Sequence, residues 1–449
     1  ACHGPGSAHI AWTGGRKPLD GLTDKGFTIG FTPDLAETEI QQCAGCHSRR
    51  EALLDGNPLP GTPFVDAYRL SLLRDGLYHA DGAIRDEVYV YGSFLQSRMY
   101  AKGVRCSDCH DPHAADRVAE GNAVCTQCHN PAGNPRFPSL RAMAYDDAAH
   151  HFHDPASAGA ECRACHMIER DYMGIDGRRD HSFRIPRPDL SDETGAPNAC
   201  TDCHADRTNT WAAEAIALRH TGSRHRGAHY GQAFAAARFD PAAATETVLA
   251  IAEDREAPAI VRATALELLR PVTGPELAAR AQPLLADPSP LVRDQAVGIQ
   301  RGAPSVQRLE RLLPLLEDPA RTVRIAAARE FLDLRMAHMP ETTRRALTEA
   351  NREWQRSLMR KADFPEAHLV IGGAALTFRD MRAAEQAFGE AARLDPQRTD
   401  AWSMVIRIRH ALGDVAGARA ALDEATAANP ADFTLISLGS LVEEPGDLE

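Results

Sequence analysis

Eleven cysteines and a set of histidines carry the reactive chemistry of this 449-residue sequence. All 11 cysteines fall before residue 204, and all but Cys2 belong to five copies of Cys-x-x-Cys-His. Two thiols three residues apart lie on one helical turn and can add to both vinyl groups of a haem, after which the adjacent histidine reaches the iron. The spacing therefore predicts five c-type haem sites. Their residues are Cys43, Cys46 and His47; Cys106, Cys109 and His110; Cys125, Cys128 and His129; Cys162, Cys165 and His166; and Cys200, Cys203 and His204.

Three other kinds of site use paired cysteines: a zinc ribbon, a redox dithiol and a disulfide framework. None of them requires a histidine directly after the second cysteine, and none would repeat that histidine five times. Haem is therefore the preferred interpretation of the motifs.

The first residues, Ala1, Cys2 and His3, match the end of the same motif. We expect a sixth haem at Cys2 and His3, with its first cysteine upstream of Ala1; an ordinary free thiol at Cys2 is the alternative. A charged-then-apolar signal segment is missing from the start, which favours a processed or truncated chain. Because covalent haem attachment is an extracytoplasmic step, we expect a bacterial protein of the periplasm or the cell exterior.

Histidines outside the motifs are candidates for the sixth coordination position of each iron, which a protein can fill or leave open. Sixteen of the 19 histidines lie before residue 230, a surplus confined to the haem region. We predict His9, His79, His113 and His181 as distal ligands. In the cluster His150, His151, Phe152 and His153 at least one histidine should bind iron, and we favour His151 and His153. A solvated linker is the expectation for His220, His225 and His229.

Composition excludes two classes of function. Asp and Glu number 62 against 50 Lys and Arg, so the net charge is -12, and only four of the basic residues are Lys. This argues against a nucleic-acid partner. A run of 18 apolar residues does not occur, so no membrane span is predicted.

The chain is predicted to be mainly α-helical, with four parts. Residues 1–205 form a haem-organised domain with little regular structure, and residues 206–240 hold a helix and a linker. Within the haem domain a short hairpin is predicted around Asp81-Gly82. The tyrosines of this domain should pack on porphyrin edges. In 241–340 the pairs Val261-Arg262, Val292-Arg293 and Val323-Arg324 recur every 31 residues. This resembles short HEAT-like repeats, with valine in the core and arginine tying repeats together through an acidic turn.

Residues 341–449 are predicted to form tetratricopeptide repeats. Ala367 and Ala401, Ala384 and Ala418, and other pairs are separated by 34 residues, the period of that family. Gly372, Ala384, Phe388, Ala391, Pro396 and Trp402 fall on its packing positions, and Ile406 replaces the second glycine. Partial helix pairs at 343–361 and 433–443 would complete a small superhelix; an unrelated helical bundle is the alternative.

Two stretches resemble known multihaem proteins. Cys162 to His204, with Met167 after the motif and Asp180-His181 between motifs, resembles the C-terminal haem pair of ammonia-forming cytochrome c nitrite reductases and octahaem hydroxylamine oxidoreductases. That resemblance implies distal ligation by His151 or His153 and by His181. Cys2 to His9 resembles a tetrahaem carrier cytochrome of ammonia oxidisers, and the whole chain looks like large multihaem cytochromes with appended HEAT-like and tetratricopeptide repeats.

The chain departs from the nitrite reductases because it has no Cys-x-x-Cys-Lys motif, the signature of their catalytic haem. Two functions remain. The first, which we favour, is an electron carrier with mostly bis-histidine haems, whose repeats dock a redox partner or another copy of the chain. The alternative is a multi-electron oxidoreductase of small nitrogen or sulfur compounds, which needs one open iron.

Overall fold

The computed structural model describes residues 2–17, 19–23, 25–54, 58–333 and 339–442. The chain forms two compact units, the first of Ala1–Glu51 and Asn57–Pro304 and the second of Ala52–Gly56 and Ser305–Glu449. The boundary after Pro304 falls inside the predicted HEAT-like segment. The domain limits at 205, 240 and 340 stay predictions.

The first 205 residues contain only short elements, as expected where glycine and proline interrupt the chain. The antiparallel bridge between Tyr78 and Ile84 forms the predicted hairpin, with Gly82 at a φ of +83° that favours glycine. The helices are α1 Ser7–Thr13, α2 Ala36–Ala44, α3 Phe64–Ala67, α4 Tyr91–Phe94, α5 Arg98–Ala101, α6 Ala123–Thr126, α7 Ala148–His151, α8 Cys162–His166, α9 Ser191–Thr194 and α10 Ala199–Cys203. Short 3-10 turns cover Pro33–Leu35, Cys106–Asp108, Ala158–Ala160 and Pro188–Leu190.

Three two-stranded sheets complete this region. They pair β1 Arg50–Ala52 with β2 Tyr68–Leu70, β3 His110–Asp111 with β4 Asp116–Arg117, and β5 Glu169–Tyr172 with β6 Asp176–Arg179. The last two pairs are antiparallel, with His110 opposite Arg117 and Glu169 opposite Arg179. The β3–β4 hairpin begins at the histidine of the Cys106 motif, and the β5–β6 hairpin begins shortly after His166, so each fixes the chain that leaves a Cys-x-x-Cys-His motif.

Two helices follow the last motif, and only the first was predicted. Helix α11 spans Asn209–Arg219, as expected, with Thr208 accepting a hydrogen bond from the Trp211 amide as its N-cap. The stretch predicted as linker contains α12, Tyr230–Phe239, in which Phe234 is fully buried. The apolar residues of α12 are mostly alanines, so the sequence has no periodic pattern of large apolar side chains that would have predicted this helix.

The repeat helices of the first unit are packed by their own side chains. They are α13 Thr245–Glu253, α14 Ala259–Leu269, α15 Pro275–Ala281 and α16 Pro290–Ile299, with 3-10 turns at Arg270–Val272, Gln282–Ala286 and Gln300–Gly302. Val261 and Val292 are fully buried, as predicted. The Arg262 guanidinium bonds Asp287 at 2.6 Å in the turn of the next repeat, so the predicted arginine tie is present.

From Ser305 onward, the described residues of the second unit form an array of helices. Its helices are α17 Ser305–Leu312, α18 Arg321–Arg329, α19 Glu341–Met359, α20 Pro365–Thr377, α21 Met381–Leu394, α22 Thr399–Ala411, α23 Val415–Ala428 and α24 Phe433–Val442, with a 3-10 turn at Leu313–Glu317. Gly372 lies against the Phe388 ring, 2.8 Å from where a Cβ would stand. Ile406 and Trp402 are buried in the same cluster. The segments predicted as partial helix pairs are instead the single helices α19 and α24.

The mainly helical fold class with a C-terminal solenoid is confirmed. Among the described residues, no helix is long and apolar enough to cross a membrane.

Candidate functional site: six histidine motifs and their facing rings

The complete motifs form single turns closed by backbone hydrogen bonds. The amides of His47, His129 and His204 bond the carbonyl of the first cysteine of their own motif, at 2.9 to 3.0 Å. In the Cys106 motif the Cys109 amide makes that contact at 3.2 Å, and the Cys162 motif coincides with α8. Each turn holds its two thiols and its histidine close together, which is the arrangement that covalent haem attachment needs.

Four motif histidines face a histidine from elsewhere in the chain. Two imidazoles on opposite sides of one metal ion, each bonded at about 2.0 Å, have their ring centres about 6.2 Å apart. The four observed pairs match this spacing with ring planes inclined by 10° to 34°. They are His3 and His113 at 6.2 Å, His110 and His181 at 6.3 Å, His166 and His150 at 6.2 Å, and His204 and His153 at 6.2 Å.

Hydrogen bonds fix the tautomer of several of these rings. Nδ1 of His166 donates to the Arg184 carbonyl at 2.6 Å, and Nδ1 of His181 donates to the Arg179 carbonyl at 2.9 Å. Nδ1 of His153 makes the same bond within its own loop, at 2.5 Å. Because a carbonyl only accepts, each ring carries its proton on Nδ1 and presents the Nε2 lone pair. Metal-binding histidines are oriented in this way.

Burial favours the neutral form of four of the paired rings. It lowers the pKa of His110, His150, His166 and His181 below the ordinary value of a histidine. Neutral imidazole is the form that binds a metal, so these rings are ready to do so at neutral pH.

The remaining predicted ligands are placed differently. Among the described residues, no second histidine ring stacks on His47 or His129; His129 meets the edge of Tyr145, with ring centres 5.3 Å apart. His79 lies beside charged groups, and burial lowers its pKa. His151, favoured from the sequence, contacts the ring of His153 rather than a motif histidine. Its neighbour His150 faces His166 instead.

Tyr78 and Tyr91 are buried, and the packing of tyrosines on porphyrin edges stays a prediction. Two of the linker histidines depart from expectation. His220 was predicted to lie in a solvated linker, but its ring packs against that of His150, with ring centres 5.7 Å apart. His229 caps α12, and burial lowers its pKa to about 4.

The motifs follow one another in space in the order of the sequence. The Cys43 thiol hydrogen-bonds the Cys106 thiol, which lowers the pKa of Cys43 and raises that of Cys106. The thiols of Cys125 and Cys162 form the same kind of pair. Burial, with the charges of Asp108 and Cys128, raises the pKa of Cys109 to about 11. Burial, with the charge of Cys200, raises the pKa of Cys165 to about 11. Each motif therefore adjoins the next.

Polar side chains that the sequence analysis did not single out join adjacent motifs. Buried Glu39, in the helix that leads to Cys43, accepts bonds from the amide and hydroxyl of Ser107 at 2.8 and 3.0 Å. Gln127 donates to the Asp108 carbonyl at 2.8 Å. These two contacts tie the Cys106 motif to the motif on either side of it.

The later motifs are joined in the same way. Asn122, just before Cys125, accepts the Cys162 amide at 2.9 Å. Arg170, which follows the Cys162 motif, binds Asp202 of the last motif through two bonds of 2.7 and 2.8 Å. These residues carry no spacing signal, because each acts through a partner distant in sequence.

A short segment ending at Arg184 serves two histidine pairs. Its Arg179 carbonyl orients His181, and its Arg184 carbonyl orients His166. The Arg184 guanidinium is held by Asp81 and by Asp180, both at 3.3 to 3.4 Å. One anchored segment thus fixes the orientation of a histidine ring in each of two different pairs.

The surroundings of the motifs fit a bulky apolar cofactor. Residues 96–159 include two motifs, yet no hydrophobic side chain of this fully described stretch is buried. Across the described residues, no group of three or more His, Cys, Asp or Glu is arranged around a single metal ion. The paired rings, the adjacent thiols and this sparse side-chain core match the needs of haem held by two thioethers and two imidazoles.

Comparisons with known proteins bear mainly on the repeats. Residues 375–438 match the tetratricopeptide repeat family model, which confirms that prediction for this segment. No curated protein matches the chain. A crystal structure of the outer cell wall cytochrome OcwA is similar over 67% of this chain and 68% of that chain, with 17% identity and a TM-score of 0.37. A likeness this distant does not establish fold or function.

Proposed function

We propose that this chain is a multihaem c-type cytochrome that carries electrons along a row of haems. The observation that carries the proposal is the set of four histidine pairs at 6.2 to 6.3 Å, each joining a motif histidine to a ring distant in sequence. Among the described residues, the two other histidine contacts, His150 with His220 at 5.7 Å and His151 with His153 at 6.5 Å, contain no motif histidine and lie outside this spacing, which supports the four pairs as axial ligands.

Haem, when bound, supplies reversible one-electron chemistry at its iron. The cysteines of the five complete motifs would attach five haems, and Cys2 with His3 would contribute to a sixth. The proximal ligands would be His3, His47, His110, His129, His166 and His204. The distal ligands that the ring pairs favour would be His113, His150, His153 and His181. Two imidazoles close an iron to substrates, which suits an electron carrier.

The order of the motifs supports transfer along the chain. Cys43 contacts Cys106, and Cys125 contacts Cys162, so haems attached through them would have neighbouring edges. Glu39 and Asn122 hold these contacts rigidly. A carrier needs neighbouring cofactors at fixed separation, and these clamps supply it.

Haem content is the decisive test. Mass spectrometry of the denatured protein should show at least five covalent haems, and a sixth if a cysteine precedes Ala1. Replacing both cysteines of one motif, as in Cys125→Ser with Cys128→Ser, should remove one haem. A protein with fewer than five haems would refute the proposal.

A second function, a multi-electron oxidoreductase of small nitrogen or sulfur compounds, is favoured by one observation. His47 and His129 have no facing histidine within the described chain, so their irons could bind an external ligand. Carbon monoxide binding to the fully reduced protein distinguishes the functions. One or two bound molecules per chain would favour the oxidoreductase, and none would favour the carrier.

We place the protein in the periplasm or at the cell exterior, because c-type haem is attached there.

We also assign the second unit a docking role, in which it binds a redox partner or another copy of the chain. Solenoid repeats leave an extended face free for contact. The earlier repeats brace the haem region, because Arg74 binds Glu267 at 2.7 Å and the Leu73 amide bonds Thr264. A chain ending at Pro304 should therefore keep its haems and lose association. Unchanged association would refute the docking role.

A further inference from the structure

His9 has the hydrogen bonding of an axial ligand although no motif histidine faces it. Its Nδ1 donates to the Lys25 carbonyl at 2.7 Å. The same bond orients the motif histidine His166, and it orients His153 and His181, each of which stands opposite a motif histidine. His9 is therefore held as the neutral tautomer with its Nε2 lone pair available, yet within the described chain its ring contacts are only Phe27 and Trp12.

A continuous stack of aromatic rings joins His9 to the first histidine pair. The His9 ring stacks on Phe27 with centres 4.0 Å apart, and Phe27 also stacks on His3, with centres 4.6 Å apart. Beyond His3, His113 is the facing ring at 6.2 Å. At the opposite end the stack continues to Trp12, which is 36% exposed. The rings thus run from the protein surface to the site between His3 and His113.

We propose that His9 is the axial ligand of an additional haem, one whose proximal histidine is not among the six motif histidines of this chain. The inference rests on the proposed function, since the stack has an electron to pass only if His3 binds haem. The ligand is a haem iron with one histidine already bound and an open or water-occupied sixth position. The stack through Phe27 then connects two irons directly through their axial ligands.

Binding is a ligand exchange without oxidation or reduction. The His9 Nε2 lone pair forms a bond to iron, and the water that occupied the sixth position leaves with its electron pair. The Nδ1 proton stays on the ring and keeps its hydrogen bond to the Lys25 carbonyl. The iron changes from high spin to low spin because two imidazoles replace one imidazole and one water.

A haem c peptide with one axial histidine and an open sixth position is a suitable probe. Added to the intact, fully haem-loaded protein, it should bind in a ratio of one per chain and lose its high-spin electron paramagnetic resonance signal. His9→Phe keeps an aromatic ring between Trp12 and Phe27 but removes Nε2, so binding should be lost. His225→Ala, which changes a histidine outside the stack, is the matched control and should bind normally.

The variant Phe27→Leu separates ligation from conduction. It keeps His9 and should bind the probe as the wild type does, but electrons from the reduced chain should reach the bound probe more slowly. Equal binding by wild type and His9→Phe in a chain with its full haem count would overturn the inference. Missing covalent haem in the same samples would instead count against the proposed function.

Dilution distinguishes two sources of the natural haem. If it belongs to a second copy of this chain, the wild type without probe should self-associate, its high-spin fraction should rise on dilution, and His9→Phe should stay monomeric. If the wild type is monomeric at all concentrations and still binds the probe, the haem comes from another molecule or segment. Either result supports the site.

Discussion

Residues 96–159 of the proposed haem region and the helical repeats differ in whether they contain an apolar core. From Thr245 to Arg329, buried Val, Leu, Ile and Ala side chains fill the space between helices. From residue 96 to residue 159 no hydrophobic side chain is buried, and polar clamps such as Asn122 hold the chain. The repeats therefore have an apolar core of their own, whereas residues 96–159 have none, and in the proposed function haems would supply it.

The largest expected effect follows from withholding haem. The chain produced without haem attachment should lose hydrogen-exchange protection in residues 96–159, because no hydrophobic side chain is buried there to order this stretch. The helices between 365 and 442 should keep their protection, since their core consists of side chains. Hydrogen exchange followed by mass spectrometry measures both regions in one sample. Equal protection of residues 96–159 with and without haem would contradict the comparison.

Within the repeats, the buried ion pair of Arg262 and Asp287 should be the most sensitive polar contact. Arg262→Met leaves the Asp287 carboxylate buried without its partner and should cost about 3 to 5 kcal/mol in the free energy of unfolding. Denaturant titration followed by circular dichroism gives the value. The exposed Arg255 is the control, and Arg255→Met should change stability by no more than about 0.5 kcal/mol. Similar values for the two variants would contradict the assigned role.

The tetratricopeptide core should respond to cavity formation without affecting the haems. Ile406 is fully buried, so Ile406→Ala should destabilise the second unit by about 2 to 5 kcal/mol. Leu412→Ala, at a side chain that is 49% exposed, should cost much less. Thermal unfolding by circular dichroism checks both variants, and the visible spectrum should stay unchanged. A spectrum altered by Ile406→Ala would show that the haem region depends on this core.

The smallest expected effect distinguishes two adjacent histidines. His150→Ala should remove the ring facing His166 and convert one haem to high spin, whereas His151→Ala should leave the spin states unchanged. Magnetic circular dichroism of the oxidised protein measures the difference. The opposite result would restore the assignment of His151 that the sequence favoured.

The sequence predicts what depends on local spacing and misses what depends on distant partners. The motif turns, the 31-residue repeat with Val261 and Val292 in the core, and the 34-residue repeat all follow from periods along the chain. The pairing of His3 with His113 joins residues 110 apart in sequence, and no local pattern encodes it. Nor could the sequence choose between His150 and His151, which lie on one helical turn and point in different directions.

Electron paramagnetic resonance of the oxidised intact protein, with signals counted per chain, tests the central claim most directly. The four histidine pairs predict at least four low-spin ferric haems with two imidazole ligands each. The nearly parallel rings of His3 with His113 and of His166 with His150 should give different low-spin signals from the more inclined pair of His204 and His153. High-spin iron in most of the haems would contradict the account.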